Sequence, residues 1–166
     1  MEDWVRITGF SGYSVSWLGD VRNDSTDRIL RTSENQYGVV YVGLMDRGTQ
    51  YKRSVALLVA QAFLPPPPTR FFDTPINLDG DRHNNRADNL AWRARWFAVQ
   101  YNHQFKERYS TPINRLLRDD SGQEYRDSWQ AAVKNGLLEK DVVLSVLNED
   151  RPYPTWPTHQ VFSVAD

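Results

Sequence analysis

The chain has 166 residues, a formal net charge of −1, 13% aromatic residues and no cysteine. Disulfides and thiolate zinc sites are thereby excluded, which fits a reducing cytoplasm, and 40% hydrophobic residues are enough for packed cores rather than a disordered tail. No window of about 18 apolar residues predicts a membrane span, and Met1-Glu2-Asp3-Trp4 lacks the basic-then-apolar signature of an export signal. In chain order, Trp4-Val5-Arg6-Ile7, Tyr13-Ser14-Val15-Ser16 and Val21-Arg22 read as short strands broken by turns at Gly9, Gly12 and Gly19. Arg28-Ile29-Leu30 and Tyr37 to Leu44 continue the sheet, and Asp46-Arg47-Gly48-Thr49 is a turn. Ser54 to Phe63 is apolar on nearly every face, which predicts a short helix buried between modules. Pro65 to Pro68 end that helix and predict a stiff extended linker, with a docking motif for an SH3-like partner as the alternative.

Asp73 to Leu90 reads as a hairpin turning near Asp79-Gly80-Asp81, with a helix beginning near Trp92. From Trp92 to Arg118 the bases Arg93, Arg95, Lys106, Arg108, Arg115 and Arg118 meet one acid, Glu107. Aromatic residues at helical spacing (Trp96, Phe97, Tyr101, Phe105) pack that helix on the hairpin, line a nucleic-acid backbone, or do both. Ile113 to Leu117 reads as a strand and Asp119 to Gln123 as a turn. Asp127 or Ser128 caps a helix that Asn135-Gly136 stops, and Glu139 to Leu147 is a second helix. From Asp119 onward acids outnumber bases, so a basic middle is followed by an acidic end. The tail, with Pro152, Pro154, Trp156 and Pro157, is not expected to be helical before Gln160 and reads as an extended segment that packs back on the body or binds a partner.

Three segments carry a resemblance. Glu2-x-Trp4-x-x-Ile7-x-Gly9-Phe10-x-x-Tyr13-x-Val15-Ser16-x-x-Gly19-x-Val21-Arg22 is similar to the nuclease-associated modular domain of HNH homing endonucleases. The frame Asp79-Gly80, Asn84-Asn85, Asn89-Leu90 and Trp92 resembles the active-site hairpin of that family, and 112–147 resembles its C-terminal helix-turn-helix module. The resemblance implies an α+β fold of three modules: 1–53, a small β module; 54–110, a ββα unit; and 111–166, a strand, a helix pair and a tail. It also implies where the chemistry should sit. The family's metal-binding Asp or Asn falls on Ile76, its general-base His on Asn77, its second ligand on Ala98, and Asn89 is retained as a hairpin support. The family's His-Arg pair in the preceding helix has become Ala56-Leu57.

An aliphatic, a carboxamide and a methyl cannot hold a hard cation or accept a proton. The sequence therefore predicts no catalytic residue, no metal, no cofactor and a protein that is not an enzyme, a pseudo-nuclease that binds nucleic acid in the cytoplasm. Its phosphate contacts would be Arg93, Arg95, Lys106, Arg108, Arg115 and Arg118, with Arg22, Arg28, Lys52 and Arg53 as weaker candidates and no membrane partner. The first alternative is a phage-encoded protein-interaction factor, a subunit or inhibitor of another enzyme, favoured by the acidic end and the aromatic-proline tail. The second is an active endonuclease with displaced ligands, for which Asp73, Asp79, Asp81 and His83 are close in sequence. His103 and His159 carry no recognisable motif.

Overall fold

A computed structural model describes residues 3–165. They fall into two compact units, one within Met1–Asn77 and Asp81–Arg95, the other within Leu78–Gly80 and Trp96–Asp166.

In the first unit, β1 (Trp4–Arg6), β2 (Tyr13–Ser16), β3 (Val21–Asn23) and β4 (Arg28–Ile29) form an antiparallel sheet in chain order. A second antiparallel sheet joins β5 (Ser33–Glu34), β6 (Val40–Asp46) and β7 (Thr49–Ser54). Alternation along β6 turns Val40, Val42 and Leu44 inward, the period-2 pattern of a half-buried strand. The β6–β7 turn has positive φ at Arg47 and Gly48, which suits a tight hairpin.

Helix α1 (Val55–Phe63) starts where the Ser54 hydroxyl accepts the Leu57 N–H, and ends where Leu64 turns extended before Pro65. It was expected between modules. Instead Val55, Leu58, Val59 and Ala60 sit inside the core of the first unit with Val15, Val21, Val42, Leu44, Ala87 and Leu90.

Strand β8 (Thr74–Asn77) pairs antiparallel with β9 (Leu90–Arg93), Asn77 opposite Leu90 and Thr74 opposite Arg93. That pairing holds Trp92 and Arg93 extended, so α2 begins at Arg95, later than the sequence suggests, and runs to Gln104.

In the second unit, β10 (Leu117–Asp119) is flanked by β11 (Glu124–Tyr125) and β12 (Phe162–Val164), both antiparallel to it. The strand expected from Ile113 starts only at Leu117 because Ile113 is engaged elsewhere. Its N–H donates to the Ser128 hydroxyl and its carbonyl accepts the Ser128 N–H. Helix α3 (Ser128–Asn135) is capped by Asp127, whose carboxylate accepts the Gln130 N–H at 2.8 Å. It stops at Gly136, whose φ of 65° and ψ of 44° place it in the left-handed region. Helix α4 (Glu139–Leu147) follows. The tail contributes β12 because buried Phe162 packs against Tyr125 in a core with Leu117, Ala131, Leu137, Val142 and Val146. Among the described residues, short antiparallel sheets and four α-helices make this an α+β fold.

Candidate functional site

The hairpin is closed by asparagines. The Asn77 side chain, 5% exposed, donates through Nδ2 to the Asn84 carbonyl at 2.9 Å and to Asn85 Oδ1 at 2.8 Å. Asn89 Nδ2 donates to the same Asn84 carbonyl at 2.9 Å, and Asn85 Nδ2 reaches the Arg82 carbonyl at 3.2 Å. These bonds tie the loop after β8 back onto the strand. Gly80, in the second unit, has φ +78°, and a Cβ there would lie 2.4 Å from the Phe105 ring, so the Asp79-Gly80 pair is a backbone requirement.

Ile76 is fully buried. Ala98, on α2 of the second unit, is buried too and presents only a methyl. A divalent cation of the homing-endonuclease kind needs hard oxygen ligands. Position 76 offers none, position 98 offers none, and the Asn77 amide aims its N–H groups at acceptors. The residues at these positions do not fit the ion. Among the described residues, no group of three His, Asp or Glu side chains is arranged to hold a metal.

His83 lies in the same loop. Its Nε2 is 2.5 Å from Glu34 Oε2, and its Nδ1 is 3.5 Å from Asp81 Oδ1, which also accepts the His83 N–H at 2.9 Å. The imidazole is exposed beside a cleft of about 190 Å³ lined by Thr32, Ser33, Glu34 and Val40. Of the acids near His83 in sequence, the structure brings Asp81 to it, while Asp73 accepts from the Thr74 hydroxyl and Asp79 is exposed. Glu34 escaped the sequence reading because it lies 49 residues away and no local spacing marks it. His103 pairs at 3.4 Å with Glu107, and His159 is exposed in the tail.

The basic residues divide by their partners. Arg108 grips both oxygens of Glu139, at 3.2 and 3.0 Å, and its guanidinium lies 4.3 Å from the Trp129 ring centre. The Glu139 side chain is fully buried and also accepts the Ser128 hydroxyl at 2.9 Å. Gln104 accepts the Glu139 backbone N–H and donates to the Leu137 carbonyl, so the start of α4 is closed by its own unit. Arg118 pairs with Glu124 at 2.8 Å, and half-buried Arg93 donates to the Trp92 carbonyl at 2.7 Å. Arg95, Lys106 and Arg115 are exposed and form no ion pair among the described residues.

In the first unit Arg22 pairs with Asp24 over Trp4, Lys52 sits 6.0 Å from the Tyr41 ring centre, and Arg28 is exposed. Arg53 lies 5.0 and 5.2 Å from the ring centres of Phe10 and Tyr51, a grouping the linear sequence hides.

No family model matches the chain. It is 26% identical over 139 residues to the uncharacterized HNH endonuclease L245 of Acanthamoeba polyphaga mimivirus, covering 81% of this chain and 39% of that protein. It is 35% identical over 89 residues to the uncharacterized HNH endonuclease L247 of the same virus, covering 53% of this chain and 22% of that protein. The chain thus spans less than half the length of these relatives. Its fold matches a chain from the structure of DNA binding and cleavage by the HNH homing endonuclease I-HmuI, with a TM-score of 0.55 and 22% identity over 98% of both chains. The expectation that the protein is not an enzyme is corrected by these findings. Both sequence relatives are named endonucleases, and the fold matches that of a homing endonuclease chain.

Proposed function

We propose, from the premise that this chain is an HNH homing endonuclease-like protein, that it binds DNA and cleaves it as an endonuclease. The observation that carries this reading is the sequence kinship over 139 residues with a protein named an HNH endonuclease, joined to the shared fold. Residues 54–110 are the cutting module in this reading. Hydrolysis of a phosphodiester requires a base that takes the proton of the attacking water. Asn77 cannot serve, so we assign that role to His83, the one imidazole in the first unit, with Glu34 fixing its orientation through Nε2 and Nδ1 as the nitrogen that takes the proton. Arg95, Lys106 and Arg115 are the proposed phosphate contacts. Arg93, Arg108 and Arg118 contribute less, because their donors already have acceptors within the protein.

The test is nicking of supercoiled plasmid by the pure protein, with magnesium or manganese and with chelator, beside DNA retention across a salt series. Nicked product is expected, slowed by roughly 10²–10⁴-fold in His83→Ala, the usual worth of a general base. Three phosphate contacts predict a slope of log affinity on log salt of about −2.7, falling by about 0.9 with each of Arg95→Ala, Lys106→Ala and Arg115→Ala. Retention of DNA without any nicking at protein excess would refute cleavage. Nicking indifferent to His83→Ala would refute the assigned base.

A further inference from the structure

The proline run joins α1 to β8. We propose that Pro65–Arg70 is a docking ridge for a protein module that reads polyproline II helix, one with an aromatic-lined groove and an acidic pocket for Arg70.

Each residue from Leu64 to Pro67 precedes a proline, which closes the α region to it, and each proline fixes its own φ. Leu64 adopts φ −81° and ψ 151°, the polyproline II region. Continued through the run at three residues per turn, that conformation puts Pro65 and Pro68 on one edge, about 9 Å apart at roughly 3.1 Å per residue, before the chain bends at Pro68 and Thr69. All four prolines are exposed. The ridge is also held at its base. The Leu64 N–H donates to the Ala60 carbonyl at 3.1 Å, and the Trp92 indole N–H donates to the Pro65 carbonyl at 3.2 Å. At the far end the chain turns back, with the Phe72 N–H on the Thr69 carbonyl at 3.1 Å.

A ligand already in its bound conformation loses little entropy on docking. Polyproline readers exploit this, taking the proline edge in a groove of aromatic rings. The end of the ridge adds a second recognition element. Arg70 is exposed two residues past Pro68 and has no ion pair among the described residues. Its guanidinium lies 5.0 Å from the ring centre of Phe71, which is itself 66% exposed. A spacer between α1 and β8 would use the stiffness of the prolines alone. Arg70, exposed and set over the Phe71 ring at one end, gives the ridge a polarity, and an acidic pocket beside the groove is its complement.

Titration calorimetry of the whole chain against two purified probes tests the proposal: an SH3 domain with an acidic specificity pocket, and a WW domain without one. Saturable binding to the SH3 probe tighter than about 1 mM is expected. Pro65→Ala/Pro68→Ala and, separately, Arg70→Glu should each weaken it at least about tenfold, with unchanged thermal unfolding. Arg70→Glu changes only an exposed side chain, so it remains informative if the double variant folds poorly. The proposal is overturned by no saturable binding to the SH3 probe, by preference for the WW probe, or by binding that survives these substitutions. Because none of these readouts involves DNA, failure here is separable from failure of the endonuclease reading.

Discussion

Asn77→Ala is the sharpest test of how the hairpin is held. The Asn77 amide is 5% exposed and makes two hydrogen bonds, to the Asn84 carbonyl and to Asn85 Oδ1. Truncation does not orphan the Asn84 carbonyl, because Asn89 Nδ2 still donates to it at 2.9 Å. It does remove the donor to Asn85 Oδ1, on a residue that is 5% exposed. One lost net hydrogen bond costs about 1 kcal/mol, and one buried acceptor left without a donor costs about 1–3 kcal/mol, so the total is about 3 kcal/mol. With a urea m-value of about 1.5 kcal/mol/M, the unfolding midpoint of the first unit should drop by about 2 M. The second arm is Asn77→Ala/Asn89→Ala, which strips both side-chain donors from the Asn84 carbonyl. The double loss should exceed the sum of the single losses by about 1 kcal/mol. Cleavage per folded molecule should stay at the parent rate in Asn77→Ala, since water activation is assigned to His83. A midpoint shift below about 0.3 M would refute the latch. Loss of cleavage in a folded Asn77→Ala protein would refute the placing of the base.

Three further outcomes follow from the second unit. Gly80→Ala forces a Cβ into a left-handed backbone at φ +78° and to within 2.4 Å of the Phe105 ring. It should cost at least about 2 kcal/mol, read as a lowered Tm, given about 1–2 kcal/mol for the backbone alone. Burial pushes the Asp119 carboxyl up, but hydrogen bonds from Ser121, Tyr125, Gln160 and the Gln123 backbone outweigh it and hold the group below its ordinary value. A carboxyl depressed in the folded state gives stability that is present above the unfolded pKa of about 3.9 and is lost as pH falls through the lower folded value. Acid unfolding of the second unit should therefore lose this component below about pH 4, and Asp119→Asn should remove it. Arg108→Ala leaves the buried Glu139 carboxylate with the Ser128 hydroxyl as its remaining side-chain donor. The expected loss by denaturant unfolding is about 2 kcal/mol, less than the usual 3–5 kcal/mol for a broken buried pair because Arg108 is itself half exposed.

Much of the fold was legible because its signals are local. The alternation of Val40, Val42 and Leu44 marks β6, Ser54 and Pro65 bracket α1, and Asp127 and Gly136 bracket α3. The frame of Asp79-Gly80 and the asparagines placed the hairpin. What escaped was long-range. The tail's Phe162 completes a sheet begun at Leu117; its prolines and aromatics mark an extended segment but not which strand it joins. Arg108 counted as a free cation in the sequence, yet buried Glu139 claims it, a pairing made only when α4 packs. Glu34 and His83 meet by the same kind of long-range closure.

The correction about catalysis has a physical root as well. Ile76, Asn77 and Ala98 give the chemistry of three positions and not of the whole scaffold. Those positions meet different demands. Ile76 fills a core, Asn77 supplies donors that keep the loop on its strand, and Ala98 packs in the other unit. Each is a sound structural choice that says nothing about a base elsewhere. A hairpin of this kind separates holding its loop, done here by amide donors, from activating water, which needs an imidazole or carboxylate within reach of the scissile phosphate. His83 between two carboxylates keeps the second task open in a loop whose first task Asn77, Asn85 and Asn89 already perform. Exchanging the two, with Asn77→His and His83→Ala in one chain, asks which position governs nicking. If His83 is the base, the exchange abolishes it; recovery through His at position 77 would return the reaction to the position that the family resemblance implies.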